Sequence, residues 1–378
     1  MTRRPGFMQA GDALRALAAL MVVVYHALLG AALASGTHGM RDAYGSVVGT
    51  IGAHLNAGLY VFFALTGYFV GGPYVRAWIG GTEAPGARHY LSRRVRRIVP
   101  AFWVFAAVSI LVLHPHGNSV ADVASIFGFA QNYHPSVAAS TIVQAWTLDV
   151  EAAFYLALPV VAIVLGRRRI SPVAMVGALA ILGAVSLAIA PRFPALNDAF
   201  SMSLPAMLWA FVPGLALAAA EPLLGPRMRG STGRLSAIAL LAISGAGFAL
   251  VTQISTARNV AHCLALTLFA GGLVAAALTW QWATDGTPRW AVNPVTNALG
   301  RWSYGIYLCH FVLSIKLIEL APAGATARET VLIAGPLTIA ASIAVAALSW
   351  RLLERPILEW RATPGTVPPV ALPSSRTA

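Results

Sequence analysis

The chain has 378 residues, 58% of them hydrophobic and only 10% charged, with a mean hydropathy of +0.71. Soluble domains carry roughly 25% charged residues, so a soluble protein is excluded and a polytopic, all-α membrane protein is expected. The net charge of +13 comes from 26 basic residues, all arginine except Lys316. They stand between apolar segments, where the positive-inside rule accounts for them, and no nucleic-acid partner is expected.

The first element sets the pattern. Asp12 to Ala34, DALRALAALMVVVYHALLGAALA, exceeds the ~20 apolar residues that a bilayer helix needs. Arg3, Arg4 and Ala32-Leu33-Ala34 imitate a cleavable leader. The apolar run is too long for one and contains Arg15 and His26, so it is expected to stay as the first span. Those two residues are eleven apart, close to three turns, which puts both on one face about 16 Å apart along the axis. Burying an ionisable group in hydrocarbon costs at least ~2.5 kcal/mol, and such groups mark pathways and sites. The plainer alternative is that Arg15 snorkels to the interface while His26 bonds a neighbouring helix.

Hydropathy predicts ten spans, near 12–34, 54–74, 98–114, 143–165, 172–190, 203–220, 235–252, 261–280, 298–318 and 330–352. With the N-terminus inside, 20 of the 26 basic residues face the cytoplasm. Four (Arg41, Arg192, Arg258, Arg328) lie outside, and Arg15 and Lys316 lie within spans. An even number of spans puts both termini in the cytoplasm, in a cell (plasma or inner) membrane. The stretch 115–142 has no Arg or Lys and could hold a short interfacial or re-entrant helix. Residues 361–378 are rich in Pro and Ser and read as a disordered cytoplasmic tail behind one transmembrane domain spanning 1–360. Neither a soluble domain nor an internal repeat is evident. Cys263 and Cys309 lie in apolar runs without metal-ligand spacing; they read as core residues, and no metal site is expected.

Span two carries FFALTGYF, whose Thr66 and Gly67 form a small-residue notch of the kind that brings helices close. Before span three, RRVRRIVP places four arginines in five residues. Anchoring explains one or two of them, and Arg93, Arg94 and Arg97 together with Arg15 could bind a polyanion through bidentate contacts. In span four, AWTLDVEAAFYLALP puts Glu151 about eight residues below the outer surface. His26 lies equally deep from the outer end of span one, so both sit about 12 Å down and form a candidate acid–base pair. A purely structural ion pair would use the same two groups. Asp149 sits nearer the outside as a second candidate. In span nine, LGRWSYGIYLCH places Ser303, Tyr307 and His310 on one helix face, where they line the same cavity or simply pack against neighbours.

These blocks, in this order, resemble the membrane-bound acyltransferase 3 family, which O-acylates bacterial surface sugars and glycosylated metabolites. Arg15-x10-His26 comes first, then FFALTGYF for FF-x-x-SG-(Y/F) and RRVRRIVP for RR-x-x-RI-x-P. WTLDVEAAFY stands for W-S-L-x-x-E-x-x-FY, LGRWSYGIYLCH for SY-x-x-YL-x-H, and LLERP closes the series. Departures are Thr66 and Thr147 where Ser is usual, and Ala152 and Ala153 where the family often has Glu-Gln, which leaves Glu151 as the block's one glutamate.

The resemblance implies a ten-helix domain moving an acyl group, usually acetyl, from cytoplasmic acyl-CoA to a hydroxyl of a carbohydrate, glycolipid or glycosylated small molecule. Acyl-CoA is then a co-substrate, and no bound cofactor is implied. Arg15 and His26 match the family's essential pair, the basic block supplies Arg93, Arg94 and Arg97, and Glu151 matches its acidic position. Some members carry an extracytoplasmic esterase-like domain, so a separate extracytoplasmic partner protein is an expectation here. On this reading the arginines hold CoA phosphates, and His26, oriented by Glu151, is the general base. A proton-coupled transporter or flippase using His26, Glu151 and His310 as a relay is the alternative; it has no need of the arginine cluster.

Overall fold

Apolar runs of this length find no water for their backbone groups in a bilayer, so they close their hydrogen bonds inside helices. The computed structural model describes residues 8–37, 39–113, 119–133, 143–190, 202–254, 259–284, 286–288 and 291–360, and no strand occurs among them. The expected tail at 361–378 lies outside the described residues.

All ten expected spans coincide with helices. The first is α1 (Gly11–Ala34). After the short α2 (Met40–Tyr44), the second is one long element running through α3 (Ser46–Ala53), α4 (Gly58–Thr66) and α5 (Gly72–Gly80). A π turn at Gly67–Gly71 joins α4 to α5. Then come α6 (Ala87–Leu113), the short α7 (Val120–Phe127), α8 (Trp146–Leu165) and α9 (Pro172–Ile189). The sixth span is broken into α10 (Leu204–Met207) and α11 (Val212–Leu224), with a bend of 50° between its halves. The rest are α12 (Gly230–Gln253), α13 (Val260–Thr284), α14 (Pro294–Ile318), and α15 (Ala327–Ser349) continued by α16 (Arg355–Glu359). Among the described residues, 8 helical segments are long and apolar enough to cross a membrane, and the bent pair makes 9. The remaining one, α14, is 25 residues long but carries Asn297, Arg301 and His310 along its length.

Small residues let the central helices touch. A Cβ added at Gly300 of α14 would strike the Asp12 backbone of α1, and one at Gly30 of α1 would meet the Ile318 side chain 2.6 Å away. The two helices therefore lie against each other over their full length, as membrane helices do when glycine opens the seam. A Cβ at Gly214 of α11 would likewise collide with the Ala64 carbonyl of α4, which pins the broken span against the π turn.

Contacts along α14 form a ladder that fixes depth. Tyr304 donates its hydroxyl to the Ile98 carbonyl of α6 at 2.9 Å, and Tyr307 donates to the Gln144 carbonyl at 2.6 Å. Further along, His310 meets His26 of α1 at 3.1 Å, and the Ser314 hydroxyl reaches the His26 carbonyl at 3.4 Å.

The short helix expected within 115–142 is α7, started by a capping box in which Ser119 and Asp122 bond each other's backbone N–H. The chain then turns inward. Trp103, in the middle of α6, donates Nε1–H to the Phe127 carbonyl at 3.0 Å, and Gln131, Asn132 and Gln144 are all buried. Consequently α8 begins at Trp146, with the Gln144 amide donating to the Leu308 carbonyl halfway along α14. It starts mid-bundle, not at the membrane surface that a span from 143 implies.

Candidate active site

The sunken start of α8 decides which groups meet. Thr147, Leu148, Glu151 and Tyr155 face α4, α6 and α14 across an internal cavity of about 120 Å³. Its charged walls are Arg15, Arg94, Arg97 and Glu151, and Ser303 and Tyr307 close it on the α14 side. Arg15, Phe69, Val70, Arg94 and Arg97 also line a wider cavity of about 900 Å³, completed by Gln9, Asp12, Asn297 and Arg301. The wider space lies at the end of the bundle where α1 begins, so the two form a vestibule and an inner chamber divided by three arginines.

Each arginine is held differently. Arg15 Nη1 is 3.1 Å from Asp12 Oδ1, and its guanidinium lies 4.8 Å above the Phe69 ring. Arg94 stands 5.9 Å from the ring centroids of both Tyr90 and Tyr155, and its buried Nε makes no hydrogen bond. Arg94 and Arg97 share a face of α6 because they are three residues apart. Arg93, which belongs to the same run, is exposed and lines neither cavity. Arg96 turns back to the Ser92 carbonyl at 3.1 Å. The helix thus divides the basic block into two inward and two peripheral members.

Glu151 accepts hydrogen bonds from the Thr66 hydroxyl at 3.0 Å and the Tyr155 hydroxyl at 2.8 Å, one on each oxygen. It shares the inner chamber with Ile98 and Tyr304, six residues before His310 and so about 9 Å nearer the start of α14. The expected pairing of Glu151 with His26 is therefore replaced. His26 Nδ1 lies 3.0 Å from the Val22 carbonyl and 3.1 Å from His310 Nε2. Counting residues from the helix ends gives equal depths only if α8 begins at the outer surface, and it begins mid-bundle.

Asp149 also falls elsewhere than expected. It stands two positions before Glu151, about 200° around the helix, and lines neither cavity. It is 2% exposed and accepts the Asn132 backbone N–H at 2.9 Å, tying the inward loop to α8. The face expected on α14 exists but serves two places. Ser303 and Tyr307 line the chamber, Tyr307 lying 2.8 Å from the Thr147 hydroxyl, whereas the fully buried His310 joins His26 beyond it. The Tyr307 and His310 rings, 5.7 Å apart, connect the two places.

Sequence reasoning missed Thr66 and Tyr155 as the partners of Glu151. Tyr155 was legible as its i+4 neighbour. Glu354, in the π turn Trp350–Glu354, is a further buried carboxylate (3% exposed), bonded by Ser349 at 3.2 Å. Its place in the LLERP block was the available signal.

A multi-pass helical bundle with an arginine-lined internal chamber is thus the class of protein this chain represents. A family model described as an acyltransferase domain matches residues 9–351, nearly the whole chain, and the chain belongs to that acyltransferase 3 family. It is a membrane acyltransferase. Comparisons with curated proteins and with solved structures return no match.

Proposed function

We propose that the protein transfers an acyl group, acetyl being the simplest, from acyl-CoA to a hydroxyl of a carbohydrate, glycolipid or glycosylated small molecule. The observation that carries this reading is the convergence of Arg15, Arg94 and Arg97 on the boundary between vestibule and chamber. Arg94 Nε has no protein acceptor there, and buried guanidinium N–H groups call for an anion. CoA phosphates in the vestibule would supply it, and the pantetheine arm would then run through the chamber toward His26, some 16 Å from Arg15 along α1. His26 takes the proton of the acceptor hydroxyl, the oxygen attacks the thioester carbonyl, and the departing CoA thiolate receives that proton. A route through an acyl-histidine would use the same residues.

In this proposal the vestibule faces the cytoplasm and the acceptor reaches His26 from the other side of a cell membrane. Release of the CoA thiol from acetyl-CoA by the purified full-length chain, with a membrane glycan and glycolipid extract as acceptor, tests the reaction. No release above the extract alone, for acetyl-CoA and longer acyl-CoAs alike, would refute it. Orientation is tested by labelling Ser92→Cys with an impermeant thiol reagent on intact cells, since both native cysteines, Cys263 and Cys309, are buried. Labelling of Ser92→Cys from outside would reverse the topology. Ser136, in the stretch 115–142 that the expected topology puts outside, is the matching outer position and lies outside the described residues.

A further inference from the structure

The contacts around His26 and His310 decide where their protons lie. A backbone carbonyl can only accept a hydrogen bond. His310 Nδ1 lies 3.2 Å from the Ile306 carbonyl, and His26 Nδ1 lies 3.0 Å from the Val22 carbonyl, each one turn back on its own helix. Both contacts are attractive only if both Nδ1 atoms carry hydrogen. His310 Nε2 is then bare, and the 3.1 Å contact between the rings runs from His26 Nδ1–H to His310 Nε2. The opposite assignment, with His310 Nε2 as donor, would leave two nitrogen lone pairs facing two carbonyl oxygens. One proton arrangement satisfies all three contacts, and the other breaks two of them.

The surroundings hold this arrangement. His310 is 0% exposed, and Tyr307, on the next turn of α14, lies 5.7 Å away by ring centroids with its hydroxyl committed to Gln144. His26 is flanked edge-on by Tyr25 at 4.9 Å and by Phe311 at 5.3 Å, neither of which offers a charge. The Ser314 hydroxyl bonds the His26 carbonyl, not its ring.

We infer that His310 is a positioning residue for the reaction: by accepting the Nδ1 proton of His26 it leaves Nε2 as the nitrogen that works on substrate. This inference rests on the proposed role of His26 as base. When Nε2 takes the hydroxyl proton, the ring becomes a cation whose Nδ1–H is already bonded to the Val22 carbonyl and to His310 Nε2. The same proton leaves from Nε2 to the CoA thiolate, so Nδ1 never exchanges during the cycle. Holding the tautomer from behind the ring is the part usually played by a carboxylate or carbonyl; here a second neutral imidazole shares it with a helix carbonyl.

The test has a spectroscopic arm and a kinetic arm on the full-length chain in lipid. Side-chain ¹⁵N chemical shifts, with His26→Gln identifying the His26 signals by difference, should show Nδ1 protonated and Nε2 bare. A bare Nδ1 on His26 would overturn the inference. In the kinetic arm, His310→Leu should lower kcat for acetyl-CoA thiol release by roughly 10-fold, the usual scale for one hydrogen bond to a charged group, with KM unchanged. His310→Gln, whose amide oxygen can accept from Nδ1–H, should restore kcat to within about 3-fold of the unmodified protein. Normal kcat in His310→Leu, or equal losses in both variants, would show that His310 only packs. Survival of turnover in His26→Ala would instead refute the proposed role of His26 as base, and the spectra would still report the proton arrangement.

Discussion

Two helix pairs in this bundle are built alike and equipped differently. In α1–α14 the backbones meet at Gly300 and Gly30; in α12–α13 they meet at Gly247 and Gly272, where added Cβ atoms would approach the Phe269 nitrogen at 2.6 Å and the Leu240 carbonyl at 3.1 Å. Both seams follow the small-residue rule of membrane helices. The polar content differs. The α12–α13 seam uses the Ser244 hydroxyl, bonded to the Phe269 carbonyl at 2.7 Å, and its two helices carry only Arg234 and His262, each in the first turns of its helix. The α1–α14 pair carries Asp12, Arg15, His26, Arg301, His310 and Lys316. Close packing therefore does not require ionisable groups in the middle of a helix. The ionisable groups set deep in α1 and α14, beside the chamber, argue for chemistry there, because each one raises the cost of placing its helix in lipid.

The contrast can be broken most directly at His26. His26→Ala should reduce acyl transfer by roughly 10²–10⁴-fold, the worth of a positioned general base, while the thermal unfolding midpoint holds. Near-normal turnover on protein of matched monodispersity would make the α1–α14 pair as inert as α12–α13. Next in size, Arg94→Gln and Arg97→Gln should each raise KM for acyl-CoA by roughly 10-fold, the loss of one charged hydrogen bond. An unchanged KM would return both residues to membrane anchoring. On the other seam, Ser244→Ala should cost about 0.6 kcal/mol of stability, the average for such a bond in a membrane bundle, and leave kcat and KM alone; denaturant titration beside a turnover assay measures both. Smallest of all, Arg93→Gln should leave KM within about 2-fold, as an exposed charge contributes little. A large KM change there would mean that the vestibule extends beyond the two inward arginines.

Most of the fold was legible because apolar length and arginine placement are strong signals. All ten spans coincide with helices, and the short helix between spans three and four is α7. Arg15, Arg94, Arg97, Glu151, Ser303 and Tyr307 do share one chamber. What escaped was relative depth. Hydropathy detects where an apolar run begins and cannot tell a helix that starts at the surface from one that starts inside a bundle. Gln131, Asn132 and Gln144 look like ordinary loop residues in sequence, yet they are buried and carry the chain inward. From that one displacement came the mistaken His26–Glu151 pair, whereas Asp149 leaves the cavity because it stands about 200° around the helix from Glu151. The exclusion of Arg93 has a different origin: the hundred-degree step of a helix separates neighbours that look equivalent in RRVRRIVP.

The early start of α8 has an electrostatic consequence as well. A helix carries roughly half a positive charge at its N-terminus from aligned peptide dipoles. Where a helix starts at a membrane surface, water screens that charge. The first turn of α8 lies inside the bundle, and its N-cap residue, Ala145, is fully buried and contributes no side-chain cap. The dipole's positive pole is thus held in a medium of low permittivity. Asp149 occupies the first turn, so its carboxylate sits in the favourable field, which falls off before Glu151 in the second turn. The pole supplies part of the solvation that Asp149 loses by burial, and it makes depth inside the bundle tolerable for that carboxylate without a direct arginine partner.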